Sequence, residues 1–466
     1  MSRGLLIIWA LGSLLATAGL ATLMWQPLAV ETLPLDRTLF LPGSTTDGHY
    51  QIELDCEACH TEAFGGREVM QGACMECHAA ELARVDNSHP RSKFTDPRNA
   101  DRVALLDARE CVACHQEHRP DITSTMGLSL PTDYCHRCHE DIGEERPTHR
   151  DLPFDGCANV GCHNFHDNRA LYEDFLVDHR DEPDLRPTAR IQWVDAPRTA
   201  NGERRPALGA EDHDAPAELP DLDRWVDEWA GTSHALAGTQ CSDCHRDTNG
   251  EWSEAVAIEN CGVCHEQEQE GFLASRHGMR LARALTPMRP ALARAPMRAE
   301  AAEQGLDCNA CHGAHDFDPQ FAAAEACLGC HADDHSLAWE KTGHADLWRA
   351  EISGEAPPGT GVSCATCHLP RGSNPKRRAR AVVHHNQNDF LRPREKMVRS
   401  SCMECHGLRF SLDALADAAL IESNYDRPPQ VSVDSLHFAT VLRWQLEGKE
   451  PPWKNEAEDE RERKRP

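Results

Sequence analysis

Twenty-two cysteines and 27 histidines stand in a chain of 466 residues, and they recur in one order. Ten times the chain reads Cys-x-x-Cys-His. The first five are Cys56/Cys59/His60, Cys74/Cys77/His78, Cys111/Cys114/His115, Cys135/Cys138/His139 and Cys241/Cys244/His245. The next five are Cys261/Cys264/His265, Cys308/Cys311/His312, Cys327/Cys330/His331, Cys364/Cys367/His368 and Cys402/Cys405/His406. An eleventh, wider motif pairs Cys157 with Cys162 and ends in His163. Together they consume every cysteine. Two thiols three residues apart can each bond one edge of a planar ligand, and the imidazole that follows can ligate a metal at its centre.

That is the chemistry of c-type haem attachment, with two thioethers to one porphyrin and the next His as proximal iron ligand. The wide motif loops out two more residues between its thiols. Disulfides would suit an exported chain, but they place no His after each pair. Zinc uses Cys-x-x-Cys pairs, yet it too has no reason to demand that His. The reading is therefore eleven covalently attached haem c groups.

Low-spin haems need a second axial ligand. In the first half, His49, His89, His118 and His149 lie between or just outside motifs. The fifth is His166 or His179, with His166 preferred because it follows a proximal His by three residues, as His118 follows His115. His136 lies inside an attachment motif and is set aside. In the second half the candidates are His234, His277, His315, His335, His344 and one of His384 and His385. The count closes in both halves, which favours bis-histidine ligation. His213 and His437 read as surface residues, and Met126 and Met279 are the competing ligand type.

The elements that position these residues are short. Aromatic residues are 6% and hydrophobic residues 40% of the chain, thin for an ordinary apolar core. Porphyrins then supply the apolar interior. The expected class is mainly α with much irregular structure, a haem-packed multihaem cytochrome c with two haem domains after one N-terminal transmembrane helix. Helices are expected over Leu222–Ala230, Gln320–Cys327, Ser411–Ile421 and Ser435–Leu446. The 84-residue gap between the motifs at Cys157 and Cys241 divides five haems from six. The expected organisation is an anchor or signal peptide over 1–30, a spacer over 31–48, a pentahaem c3-like domain over 49–182, a linker over 183–229, a hexahaem domain over 230–425, and a C-terminal helix with charged tail over 426–466.

Arg3 precedes an apolar run from Gly4 to Trp25, the length of a bilayer crossing. Ala16-Thr17-Ala18 offers a signal-peptidase site, but the run continues past it, which favours an uncleaved anchor. Either way the bulk of the chain lies outside the cytoplasm, on the periplasmic side of a bacterial inner membrane or soluble after cleavage. A net charge of −28 argues against nucleic acid and fits redox partner proteins with a basic docking face.

Close-set motifs, the wide Cys157–Cys162 motif and scattered His residues make 49–179 resemble class III (c3-type) multihaem cytochromes. A typical c3 domain has fewer haems than five. The stretch 231–424 resembles the electron-transfer part of the hydroxylamine oxidoreductase and multihaem nitrite reductase superfamily. That resemblance rests on Cys-Asn-Ala-Cys-His-Gly-Ala-His at 308–315, Gly-Val-Ser-Cys-Ala-Thr-Cys-His-Leu-Pro-Arg at 361–371, His385-Asn386, and Cys-Met-Glu-Cys-His-Gly-Leu at 402–408. It implies His385 rather than His384 as a distal ligand. The lysine-ligated haem of the nitrite reductases is absent, since every motif ends in His. Tyr425 follows the last motif, where a cross-linking Tyr of the oxidoreductases would stand.

These observations favour an electron-transfer conduit, with no catalytic residue, over an enzyme. The alternatives are a redox enzyme acting on a small nitrogen or sulfur compound at one open haem, or a quinol-oxidising membrane module.

Overall fold

The computed structural model describes residues 3–24, 37–62, 65–124, 127–131, 133–146, 149, 164–167, 171–189, 205–373, 381–391 and 394–449. The fold is mainly helical with much irregular structure. Most helices are short, and several begin on an attachment motif: Cys241–Cys244, Cys308–His312 and Cys364–His368 start on the first cysteine. The described strands form one two-stranded hairpin, with Arg371–Ser373 antiparallel to Ala381–Val383.

Helices form where the expected periodicity lies, but chemistry at single residues cuts two of them. Leu222–Ala230 buries Val226 and Trp229, one turn apart on its inner face, and ends at Gly231. Ser435–Leu446 is likewise a single helix. The segment expected as Ser411–Ile421 is instead Leu408–Ala416 followed by Ala418–Glu422. Asp417 breaks it by accepting the Leu420 N–H as N-cap while its carboxylate also binds Arg427. Its backbone thereby leaves the helical region, as a cap requires. The segment expected as Gln320–Cys327 splits at Ala324 into Pro319–Ala323 and Glu325–Cys330.

The largest side-chain core lies near the C-terminus. Leu408, Leu412 and Leu415 are fully enclosed with Val398, Met397, Met403, Leu436 and Ala439. Leu171 and Leu176 join this core, because Glu173–His179 packs on Ser435–Leu446. A smaller core gathers Ala324, Trp339, Ala345 and Trp348. The segment between the haem-motif groups is also engaged where described. Arg186 N–H donates to the Cys405 carbonyl, and Asp214 accepts from the Ser242 N–H beside Cys241.

Arg3–Met24 is one helix whose continuously described side chains, Gly4 to Gly19, are all exposed. Among the described residues no helix is long and apolar enough to cross a membrane. The expected transmembrane helix thus finds no support there.

Candidate haem-binding sites

Each described motif is a single helical turn. The His N–H bonds the carbonyl of the first cysteine four residues back in the motifs at His60, His115, His139, His245, His265, His331 and His406, at 2.8–3.0 Å. The motifs ending in His78, His312 and His368 lie within helices and share that geometry. The i to i+4 bond stacks the His over the first cysteine and leaves both thiols on an adjoining face. All 20 described cysteines are free thiols, so no disulfide competes for them. Among the described residues there is no cluster of three or more His, Cys, Asp or Glu that could hold a metal ion by itself.

Nine proximal rings each face another imidazole. His78 faces His49 at 5.9 Å between ring centroids, His115 faces His166 at 6.3 Å, and His139 faces His89 at 6.2 Å. His245 faces His315 at 5.9 Å, His265 faces His234 at 5.9 Å, and His312 faces His385 at 6.2 Å. His331 faces His277 at 6.3 Å, His368 faces His335 at 6.0 Å, and His406 faces His344 at 6.3 Å. Two metal–imidazole bonds of about 2 Å and two ring radii of about 1.1 Å add to roughly 6.2 Å. The gaps therefore fit one iron atom between each pair.

His60 and His118 line one cavity of ≈ 260 Å³ together with Cys59 and Met70. His149 is half-buried, and burial lowers its basicity. Cys157, Cys162 and His163 lie outside the described residues, as does Met126. Of the open alternatives, His179 turns to Glu182 at 2.8 Å and His384 packs on Phe390 at 5.0 Å. Neither is the ring that faces a proximal His. His437 is exposed. His213 is half-buried, with its Nδ1 enclosed and unpaired.

The rings are aimed from behind. Nδ1–H donates to a main-chain carbonyl at His115 (Gly127, 2.9 Å), His118 (Gly43, 2.7 Å), His245 (Ser253, 2.9 Å), His385 (Val383, 3.0 Å) and His406 (Asp184, 2.9 Å). His89 and His335 do the same to Phe165 and Ile421. A proton held on Nδ1 leaves the Nε2 lone pair for a metal. Burial, helped by the facing imidazoles, pushes His166, His234, His277, His312 and His368 down to about 4, so these rings are neutral as ligation demands.

Three of the facing rings are presented by a device that spacing to the motifs does not reveal. Trp229-Ala-Gly-Thr232-Ser-His234-Ala and Trp339-Glu-Lys-Thr342-Gly-His344-Ala share one pattern 110 residues apart. In both, the threonine hydroxyl donates to the Trp carbonyl at 2.8 Å and accepts from the following Ala N–H at 3.3 Å, capping the helix that carries the His. Phe272, Ser275 and His277 repeat it with serine, whose hydroxyl donates to the Phe272 carbonyl at 2.6 Å and accepts from the His277 N–H at 3.1 Å. The Trp-x-x-Thr-x-His repeat was the available sequence signal.

Successive motifs meet through their thiols. The thiol of Cys74 lies close to that of Cys111, as Cys261 does to Cys308 and Cys327 to Cys364. Cys59 lies by Cys77, Cys244 by Cys261 and Cys264, Cys311 by Cys327 and Cys330, and Cys367 by Cys402 and Cys405. Burial first, then this crowding of thiols, pushes Cys311 and Cys367 up to about 12. One connected cavity of ≈ 1030 Å³ runs past the motifs from Cys244 to Cys367 and reaches His344.

Residues 48–140 match the family model of cytochrome c3. That stretch is similar to cytochrome c3. It holds four of the attachment motifs with His49, His89 and His118, so the fifth motif lies beyond it. Covalently bound haem c and electron transfer are what a c3-like multihaem domain carries. The resemblance of 231–424 to the hydroxylamine oxidoreductase superfamily has no family match beside it. No curated protein and no solved structure matches the chain.

Proposed function

We propose that the chain is an undecahaem electron conduit. The single observation that carries this reading is the set of nine imidazole pairs spaced 5.9–6.3 Å apart, each containing one motif histidine. The partners of His78, His115, His139, His245, His265, His312, His331, His368 and His406 are then His49, His166, His89, His315, His234, His385, His277, His335 and His344. His118 serves His60, and His149 serves His163. When bound, haem c supplies one-electron exchange between ferric and ferrous iron.

The chain's own residues do the rest. With haem bound, the cysteines of successive motifs would hold neighbouring groups close together. The paired imidazoles would supply two nitrogen ligands to each iron, which favours a low potential. Carbonyls behind Nδ1 fix ring orientation. The order of contacts makes the hexahaem region one row running from the motif at Cys241 to that at Cys402. The likeness of 231–424 to the hydroxylamine oxidoreductase superfamily then extends only to its electron-transfer part.

The conduit works on the periplasmic side of the inner membrane, held there by the apolar N-terminal segment or released by its cleavage. The negative charge of the chain suits redox proteins with a basic docking face, and salt weakens such docking. A second reading has one observation in its favour. His60 is exposed and is not among the nine pairs, so an open haem there would serve an enzyme of small nitrogen or sulfur compounds.

A pyridine haemochrome assay with intact mass tests the proposal. Eleven haems per chain are expected, and a clear shortfall overturns it. Turnover of nitrite, hydroxylamine or sulfite by the purified protein would favour the second reading.

A further inference from the structure

The pair His49/His78 differs from its neighbours in what stands behind it. His49 Nδ1–H donates to Glu117 at 2.7 Å, and Thr46 pins the same carboxylate with its N–H at 2.6 Å and its hydroxyl at 2.9 Å. On the opposite side, His78 Nδ1 lies 3.5 Å from Glu81. Carboxylates therefore back both imidazoles. In each of the other eight described pairs, at least one ring rests on a neutral group or on none. Six have a ring on a carbonyl. His277 meets the Gln387 amide at 2.9 Å, and the Nδ1 of His234 has no partner. A carboxylate accepting Nδ1–H pushes electron density onto Nε2, which favours ferric over ferrous iron.

The same pair sits where the two haem regions meet. Gln51, two residues after His49, donates to the Arg276 carbonyl at 2.7 Å, beside His277. Arg280 returns a bond to the Gln51 carbonyl at 2.8 Å, and Arg283 pairs with Asp55 at 2.8 Å. On the His78 side, Arg84 forms a two-point pair with Asp389 at 2.6 Å, and Glu81 binds Lys396 at 3.0 Å. Asp389 and Lys396 both belong to the hexahaem region.

We propose that Glu117 and Glu81 are positioning residues that make the haem held by Cys74 and Cys77 the hardest in the chain to reduce, at the step between the N-terminal haems and the hexahaem row. The proposal rests on the axial roles of His49 and His78 given above. An electron arriving from a ferrous neighbour on either side must climb onto this site before it descends into the other region. Each region then fills with electrons separately. Glu117 acts more strongly than Glu81, because its bond is shorter and Lys396 offsets part of the Glu81 charge.

The test is spectropotentiometric titration of the full-length holoprotein with EPR of the same samples, for E117Q, E81Q, their double variant, K396Q and H49M. The proposal expects the lowest-potential step to move upward in E117Q, less in E81Q, and by about their sum in the double variant. In K396Q the same step moves downward, a reversal of sign that mere loosening of structure would not produce. H49M converts one low-spin centre to a different axial signature. If H49M does so but the carboxylate variants leave the lowest step in place, or move another, the proposal falls while the ligand reading stands. If H49M changes no centre, the ligand reading of this pair falls and takes the proposal with it.

Discussion

The c3-like stretch and the C-terminal half hold their imidazole pairs in different ways. Over 48–140 few side chains are buried, chiefly Ala73 and Tyr134 among the apolar ones, and Cys56, Cys59 and Cys77 are exposed. The C-terminal half has Leu408, Leu412, Leu415 and Leu420 at 0–1% exposure and a second core around Trp339 and Trp348. Its pairs are also presented by capped helices. The lesson is that the first region has few buried side chains to form an interior, whereas the second adds side-chain cores that line its cavity through Trp339, Trp348, Met397 and Leu415.

The largest expected effect breaks that comparison open. Producing the chain without haem attachment should unfold 48–140 while the core around Leu412 keeps protection, read by hydrogen exchange with mass spectrometry. Equal loss in both regions would erase the distinction. Next, Leu412→Ala removes a fully buried side chain and should cost about 2–5 kcal/mol, seen in denaturant unfolding of the C-terminal half with the c3-like stretch unmoved. Thr342→Ala deletes the cap before His344 and should cost about 1 kcal/mol. It should also broaden the EPR signal of the centre at His406, because that ring loses its fixed approach. The smallest effect is expected for Arg84→Ala at the contact between the regions, about 0.2–1 kcal/mol and shrinking with added salt, measured as a change in their coupled unfolding.

The two regions were also unequally legible in the sequence. The attachment motifs are local, since thiol, thiol and imidazole lie within one helical turn, so reading residues in order finds them anywhere. Which ring faces which is long-range. His89 lies between the motifs at Cys74 and Cys111, yet it faces His139 of the motif at Cys135. His166 follows His163 by three residues but faces His115. Adjacency in sequence carries no information about a gap that must hold a porphyrin between two chain segments. Helix ends failed for a different reason. Asp417 satisfies a cap and an Arg427 pair that only the folded chain brings together, and periodicity runs straight through it. Within the expected linker, Asp184 and Arg186 touch the His406 motif by main-chain contacts that any residue type can make, so composition does not reveal them.

The account depends on every iron being gripped from both faces by the chain's own imidazoles. Low-temperature EPR combined with near-infrared magnetic circular dichroism of the oxidised full-length protein counts this directly. Eleven six-coordinate, low-spin, bis-histidine centres are predicted. A five-coordinate high-spin centre, above all one that binds an added small ligand at His60, would contradict it.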